Sequence, residues 1–280
     1  MPLSIWAWEP ELEQCIRYQQ WGNIESRRQI LFLHGWGMNS GVWTPAAQYL
    51  QELFSDCHII AVDLPGYGQS RRCDQQALGG HYNSVALAQY LAFLLKDKET
   101  IIIGWSMGGL VALEMLRQFP QAVSRLVLVS SSPRFVQGDD WPYAVKASVF
   151  EEFYQYLEQD HRATLKRFLA IQAMGSDTAR KDIKTLQQQL EQRGEPEPAA
   201  LKDGLKMLLN EDKRALLSEV TDIPIDLICG ERDTLVNIKA QQQLTQQPNI
   251  KLHPVAGAGH APFISHPDEF MTLLRGILEH

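Results

Sequence analysis

The sequence predicts an α/β protein with a mostly parallel central sheet flanked by helices and interrupted by one helical insertion. Three observations predict it. Short Ile-, Val- and Leu-rich runs recur at the length of strands buried on both faces. Amphipathic helical patterns separate several of them, and strand–helix–strand alternation means parallel pairing. One long stretch, from about Pro133 to Asp222, carries helical patterns and no buried strand.

The strand candidates are Gln29–Leu33, His58–Val62, Thr100–Ile103, Arg125–Val129, Ile225–Cys229 and Lys251–Val255. Helices are expected over Ser84–Leu95, which carries Val85, Leu87, Ala88, Leu91 and Leu94, and over Leu110–Phe119. A last helix over Pro267–Leu278 follows the start signal Ser265-His266-Pro267-Asp268. Within the long stretch, Val149–Leu157, Arg162–Ala173, Thr178–Leu190 and Leu201–Leu209 read as helices, with a turn at Gly194-Glu195-Pro196-Glu197-Pro198. Roughly ninety residues is too long for an ordinary connection between strands. The expected division is therefore a core of 1–132 and 223–280 with a helical lid of 133–222.

Composition narrows the function. The 280 residues are 45% hydrophobic and 21% charged, which is globular composition. A net charge of -7 argues against nucleic-acid binding, which needs a basic surface. The four cysteines, Cys15, Cys57, Cys73 and Cys229, form no CxxC pair and no zinc-finger spacing, so reduced structural thiols are expected. Met1-Pro2-Leu3-Ser4-Ile5-Trp6 has neither a basic start nor a long apolar run, so no signal peptide is read. The most apolar helical stretch, Val85–Leu95, is too short to span a bilayer. A cytoplasmic monomer without membrane contact is expected. No phosphate-cradling loop, dinucleotide fingerprint or metal-ligand cluster is seen, so no cofactor or metal is expected.

The chemistry concentrates in three loops. Gly104-Trp105-Ser106-Met107-Gly108 lies between a strand and a helix, which is the setting G-x-S-x-G requires. A sharp turn there holds Ser106 in a strained backbone, and side chains at Gly104 and Gly108 would collide with the neighbouring strand and helix. A serine hydroxyl needs a base. Ala256-Gly257-Ala258-Gly259-His260 follows the last strand, and His260 is that base. The base needs an acid to fix its tautomer. Asp233, in Cys229-Gly230-Glu231-Arg232-Asp233, has the best position, and Glu231 is its nearest rival. Asp226 lies at the wrong end of its strand. The order Ser106, Asp233, His260 is that of α/β-hydrolases.

The oxyanion hole falls to the backbone N–H groups of Trp36 and Met107, the first in Leu33-His34-Gly35-Trp36-Gly37 and the second directly after the nucleophile. His34 reads as a residue that orients this loop. Asp63-Leu64-Pro65-Gly66-Tyr67-Gly68-Gln69-Ser70 reads as a rigid turn. Between Asp160 and Thr185 the lid carries Arg162, Lys166, Arg167, Arg180, Lys181 and Lys184 against Asp160, Asp177 and Asp182. This basic island in an acidic protein reads either as a docking patch for an acidic partner or as a solvated helix face. Phe168, Leu169, Ile171 and Met174 face either the pocket or the lid's own core.

With these residues in view, the chain resembles one family over nearly its whole length. Leu33–Gly37, Gly104–Ala112 and Gly259–Pro267 are similar to the pimeloyl-[acyl-carrier protein] methyl ester esterases of biotin synthesis, which are α/β-hydrolases. The lid is similar as well, in Ser131-Ser132-Pro133, Trp141-Pro142, Arg167-Phe168-Leu169-Ala170-Ile171-Gln172, Met174-Gly175 and Thr178-Ala179-Arg180. The resemblance implies nucleophile, acid and base at Ser106, Asp233 and His260. It implies substrate contacts from Trp36, Ser106, Met107, Phe168, Leu169, Ala170, Ile171, Gln172 and His260. It also implies that Arg162, Arg167, Arg180 and Lys184 grip an acidic acyl carrier protein. Lys184 stands where arginine is expected, which keeps the charge and loses bidentate contact. Ala163 falls on a further basic position, with Arg162 beside it.

The implied activity is hydrolysis of the methyl ester of a pimeloyl-carrier through an acyl-enzyme, with promiscuity towards short-chain esters. Other readings of the same residues are a general carboxylesterase, a carbon–carbon bond hydrolase, a lyase of menaquinone synthesis and a non-catalytic binding protein.

Overall fold

The computed structural model describes residues 15–70 and 82–279. Cys73, His81 and the first residues of the chain lie outside them. Seven strands form one sheet: β1 (Arg17–Gly22), β2 (Arg28–Leu33), β3 (His58–Asp63), β4 (Glu99–Trp105), β5 (Val123–Val129), β6 (Ile225–Gly230) and β7 (Ile250–Val255). Their order is β1-β3-β2-β4-β5-β6-β7. All neighbours are parallel except β1, which runs antiparallel to β3 with Arg17 opposite Asp63.

The six predicted strands are present, each within a few residues of its expected bounds. β1 is an addition. Its sequence, Arg-Tyr-Gln-Gln-Trp-Gly, alternates exposed and half-buried residues at the sheet edge, so it offers no apolar run to read. The interior strands β3 and β6 are buried throughout, as their continuous Ile/Val/Leu content requires.

The helices are α1 (Thr44–Leu53), α2 (Ser84–Tyr90), α3 (Met107–Gln118), α4 (Ala147–Gln159), α5 (His161–Gln172), α6 (Ala179–Arg193), α7 (Pro198–Asn210), α8 (Arg214–Glu219), α9 (Ile238–Leu244), α10 (Pro262–Ser265) and α11 (Pro267–Leu278). The helix expected over Ser84–Leu95 ends at Tyr90 and continues as a 3₁₀ turn over Ala92–Leu95. Helix α3 begins at Met107, directly after Ser106 and earlier than its apolar pattern suggests. Its N-terminal Met107, Gly108 and Gly109 are buried against the sheet.

Five helices, α4 to α8, lie between β5 and β6. Between Val129 and Ile225 the described residues add only isolated bridges, such as Arg134 with Asp212. Asp160 caps α5 by accepting from the Ala163 N–H at 3.0 Å. Pro198 opens α7, and Gly194, at φ 103°, closes α6. Two buried polar links fasten this helical segment to the sheet layer. Arg193 on α6 pairs with fully buried Asp63 at 2.7 Å. Lys213, just after α7, pairs with buried Glu114 of α3. Beside it, Glu211 accepts from the Ser84 N–H at 2.9 Å.

Because β2 and β4 to β7 are parallel, the loops after them gather at one edge of the sheet. This is where sites assemble in such folds.

Candidate active site

Ser106 sits between β4 and α3 at φ 53°, ψ -121°, a left-handed conformation costly for a side-chain residue. Its surroundings hold it there. The Ser106 N–H donates to the Val129 carbonyl at 3.0 Å, and the Ser131 hydroxyl donates to the Ser106 carbonyl at 2.6 Å. The flanking glycines are obligatory. A Cβ on Gly108 would lie 2.6 Å from the His34 carbonyl oxygen, and one on Gly104 would lie 2.7 Å from the Gly109 Cα. The collisions expected from sequence are therefore present, with the β2 loop and the nucleophile's own helix.

The structure brings Ser106, His260 and Asp233 together from three loops. His260 Nε2 lies 2.9 Å from Ser106 Oγ, and His260 Nδ1 lies 2.8 Å from Asp233 Oδ2. Asp233 Oδ1 also accepts from the Leu235 and Val236 N–H groups at 2.8 and 2.9 Å. Every group facing this carboxyl is thus a donor, which puts the imidazole proton on Nδ1 and leaves Nε2 to receive the serine proton. All three side chains are buried. Glu231, the rival acid, is exposed. Asp226 lies away from the site, where it pairs with Arg125 and His253.

Trp36 and Met107 are fully buried. Among the described residues, no group accepts from the N–H of either one. Unpaired buried N–H groups are rare, and two beside one serine suit a developing oxyanion. Their loop is close: a Cβ on Gly35 would lie 3.1 Å from Ser106 Cβ. His34 holds this loop, as expected. Its Nε2 accepts from the Leu64 N–H at 3.0 Å, so Nδ1 carries the proton and donates to the Gly35 carbonyl at 2.9 Å. Burial without a charged partner in contact lowers its pKa to about 4.

Helices α5 and α7 close the site. Phe168 packs edge-on against Trp36 with ring centroids 4.5 Å apart. Gln172 is buried between the Trp36 and His260 loops, donating to the Trp36 carbonyl at 3.4 Å. Phe168, Leu169 and Gln172 are buried and Ile171 is half-buried. Ala170 and Met174, by contrast, are exposed. Ala170 lies on the solvent side with Lys166 and Arg167, because it is one helical turn beyond them.

Sequence reading did not single out α7 or Tyr67 for the site. The Trp36 indole donates to the Leu201 carbonyl at 2.8 Å, and the Tyr67 hydroxyl donates to the Ala200 carbonyl at 3.0 Å. Gly204 admits this approach, since a Cβ there would lie 2.7 Å from both Trp36 Cδ1 and the Tyr67 hydroxyl. One glycine meeting two aromatic side chains and the Met107 thioether at one point is a pattern visible only in three dimensions.

The four expected carrier contacts lie on the outer face of α5 and α6. Arg162 pairs with Glu195 at 2.9 Å. Arg167 stacks 4.9 Å over the Tyr156 ring. Arg180 and Lys184 are exposed, as are Lys166 and Lys181, and among the described residues these four enter no ion pair. No group of His, Cys, Asp and Glu among the described residues could hold a metal ion. No described helix is long and apolar enough to cross a membrane.

Comparison with known proteins shows the family. The α/β-hydrolase fold family matches residues 29–267. A pimeloyl-[acyl-carrier protein] methyl ester esterase of Photobacterium profundum is 38% identical over 92% of this chain and 98% of its own. One of Aeromonas salmonicida is 40% identical over 88% of this chain and 93% of its own. Among solved structures, an esterase from Exiguobacterium antarcticum superposes with a TM-score of 0.81 over 95% of this chain and 96% of its own, at 22% identity. The fold places the chain in the α/β-hydrolase family, and its sequence relatives show that within it the chain belongs to the pimeloyl-[acyl-carrier protein] methyl ester esterases.

Proposed function

We propose that this protein is a serine carboxylesterase that converts the methyl ester of pimeloyl-[acyl-carrier protein] to the free carboxylate and methanol. One observation carries the reading: Ser106, His260 and Asp233 form a continuous hydrogen-bonded chain at 2.9 and 2.8 Å beside two unpaired N–H groups. The names of the relatives supply the substrate class.

His260 takes the proton of Ser106 as its oxygen attacks the ester carbonyl. The carbonyl oxygen, now negative, is held by the N–H groups of Trp36 and Met107. His260 returns the proton to the departing methoxy oxygen, which leaves as methanol. A water, deprotonated by His260, then attacks the acyl-serine, and Ser106 leaves with the proton restored. Asp233 holds the imidazole in orientation and stabilises its charged form between these steps.

The helical segment 133–222 acts as the lid of the site. Its buried face, through Phe168, Leu169, Ile171 and Gln172, receives the pimeloyl chain, while Ala170 borders the entrance. Its outer face, through Arg162, Arg167, Arg180 and Lys184, meets the acidic carrier. Of these, Arg180 and Lys184 enter no ion pair among the described residues and are able to take new anionic partners, which favours docking over a self-neutralised face, whereas Arg162 would have to exchange Glu195. The thioester survives because the acyl chain holds it away from Ser106. Short-chain esters are accepted too, since an apolar channel discriminates by only about 1–3 kcal/mol per methylene.

Mass spectrometry of pimeloyl-carrier methyl ester incubated with the enzyme tests this. Loss of one CH2 with the acyl chain still on the carrier is expected, and none with the Ser106→Ala variant. No change, in a preparation that cleaves nitrophenyl esters, refutes the substrate assignment.

A further inference from the structure

We infer that Gln172 is a positioning residue that joins the base and the oxyanion donor of this site into one unit. The inference rests on the reading of Ser106, His260 and Trp36 given above. Gln172 is the last residue of α5 and is fully buried. It bonds in two directions. Its backbone carbonyl accepts from the His260 N–H at 3.2 Å, and its side-chain Nε2 donates to the Trp36 carbonyl at 3.4 Å. The loops of His260 and Trp36 follow β7 and β2, which are not neighbours in the sheet. Gln172 therefore bridges two loops that share no strand pairing.

The chemistry of the bridge requires an amide. The Trp36 carbonyl can only accept, so the group facing it must donate. The other end of the amide, Oε1, is buried without a partner. Leaving that acceptor unpaired is unfavourable. Turning the amide over would set oxygen against oxygen at Trp36, so the donor bond fixes the orientation. The packing around it is tight: a Cβ on Gly259 would lie 3.5 Å from the Gln172 carbonyl and 2.8 Å from the Met174 carbonyl. Gly175, at φ 86°, would place a Cβ 2.4 Å from the Arg232 carbonyl, one residue before Asp233. The end of α5 is thus seated against all three loops that serve Ser106. Because α5 also carries Lys166 and Arg167 on its outer face, the same helix touches solvent on one side and catalytic geometry on the other.

The test uses Gln172→Met, which keeps volume and removes the bond, and Gln172→Glu, which keeps shape and places carboxylate oxygen against the Trp36 carbonyl. Turnover of nitrophenyl butyrate is measured per active site, with sites counted by fluorophosphonate labelling, so unfolded protein does not enter the rate. Both variants are expected to lose roughly tenfold to a hundredfold in kcat, the scale of a small misplacement of reacting groups. KM is expected to change less than kcat, because Phe168, Leu169 and Ile171, which receive the acyl chain beside Gln172, are untouched. Gln172→Glu is expected to be the slower of the two. A kcat per site within twofold of the parent in both variants overturns the inference, as does a loss that appears only in KM. Ser106→Ala, which has no hydroxyl to label and is therefore assayed per mole of protein, separates the two levels: if it retains turnover, the reading of the site fails instead.

Discussion

The ion pair between Asp63 and Arg193 is one of two buried ion pairs that fasten the helical segment, and its removal has a calculable effect. Asp63 is fully buried after β3, and the Arg193 side chain is only 14% exposed. Burial acts to raise the Asp63 pKa. The Arg193 guanidinium and the N–H groups of Gln69 and Ser40, at 3.0 and 2.7 Å, outweigh it and hold the carboxyl below its ordinary range. Replacing Arg193 by Met keeps apolar bulk and leaves a buried carboxylate with two donors instead of three. Breaking a buried pair from one side costs about 3–5 kcal/mol, and the surviving N–H groups place this case near 3. For a chain of this size, that lowers Tm by roughly 6–12 °C.

The pH dependence supplies the discriminating measurement. A carboxyl whose folded pKa lies below its unfolded value of about 3.9 contributes stability above that pH, and the contribution is lost as pH falls through the folded value. The Tm gap between parent and Arg193→Met should therefore be full at pH 7 and shrink below pH 4. Differential scanning fluorimetry at a fixed scan rate, over a pH series, reads it. A gap under 2 °C at pH 7, or one just as large at pH 3, would refute the reasoning.

Four further outcomes are expected. Ser106→Ala and His260→Ala should each reduce turnover by about a millionfold, and Asp233→Asn by about ten thousandfold, measured with active-site-independent protein concentrations. Charge reversal at Arg180 and Lys184 together should raise KM for the carrier-bound ester about tenfold at low salt and leave a free nitrophenyl ester unaffected; equal effects on both substrates would exclude docking there. Gly108→Ala should give insoluble or inactive protein, because its Cβ meets backbone oxygens rather than a movable side chain. His34, with a pKa of about 4, stays neutral in the fold while the unfolded chain takes up a proton below about pH 6.5. Stability should fall by about 3 kcal/mol between those values, and His34→Gln should flatten that slope in denaturant titrations.

What the sequence made legible follows from how local the governing physics is. Ser106 could be found because its constraints sit within two residues on either side: a strained turn demands Gly104 and Gly108, and a buried strand must precede it. His260 and Asp233 could be found because each lies in the loop after a strand ending at the same sheet edge, although Glu231 shares the Asp233 loop. Where burial is one-sided, the signal disappears. β1 alternates with half-buried polar residues, and the early start of α3 hides in two glycines that helix propensity disfavours. Residues whose role depends on a partner far along the chain were beyond reach. Nothing near Tyr67 points to the Ala200 carbonyl, and nothing near Arg193 points to Asp63.

Gln172 lies between these cases. Its resemblance to a family segment marked it for the site, yet its two bonds, to Trp36 and His260, span loops that only the closed sheet brings together. That placement explains why the helical segment cannot be a passive cover. Ser106, His260 and Asp233 each sit in a loop that follows a strand of the sheet. The Trp36 loop and the His260 backbone are additionally restrained by α5, which is anchored neither at Asp63 nor at Glu114. Substitutions that loosen α6 at Arg193 should therefore affect stability first. Substitutions at the end of α5 should affect turnover first. Finding the reverse order in paired measurements of Tm and kcat would mean that the helical segment moves as one rigid body.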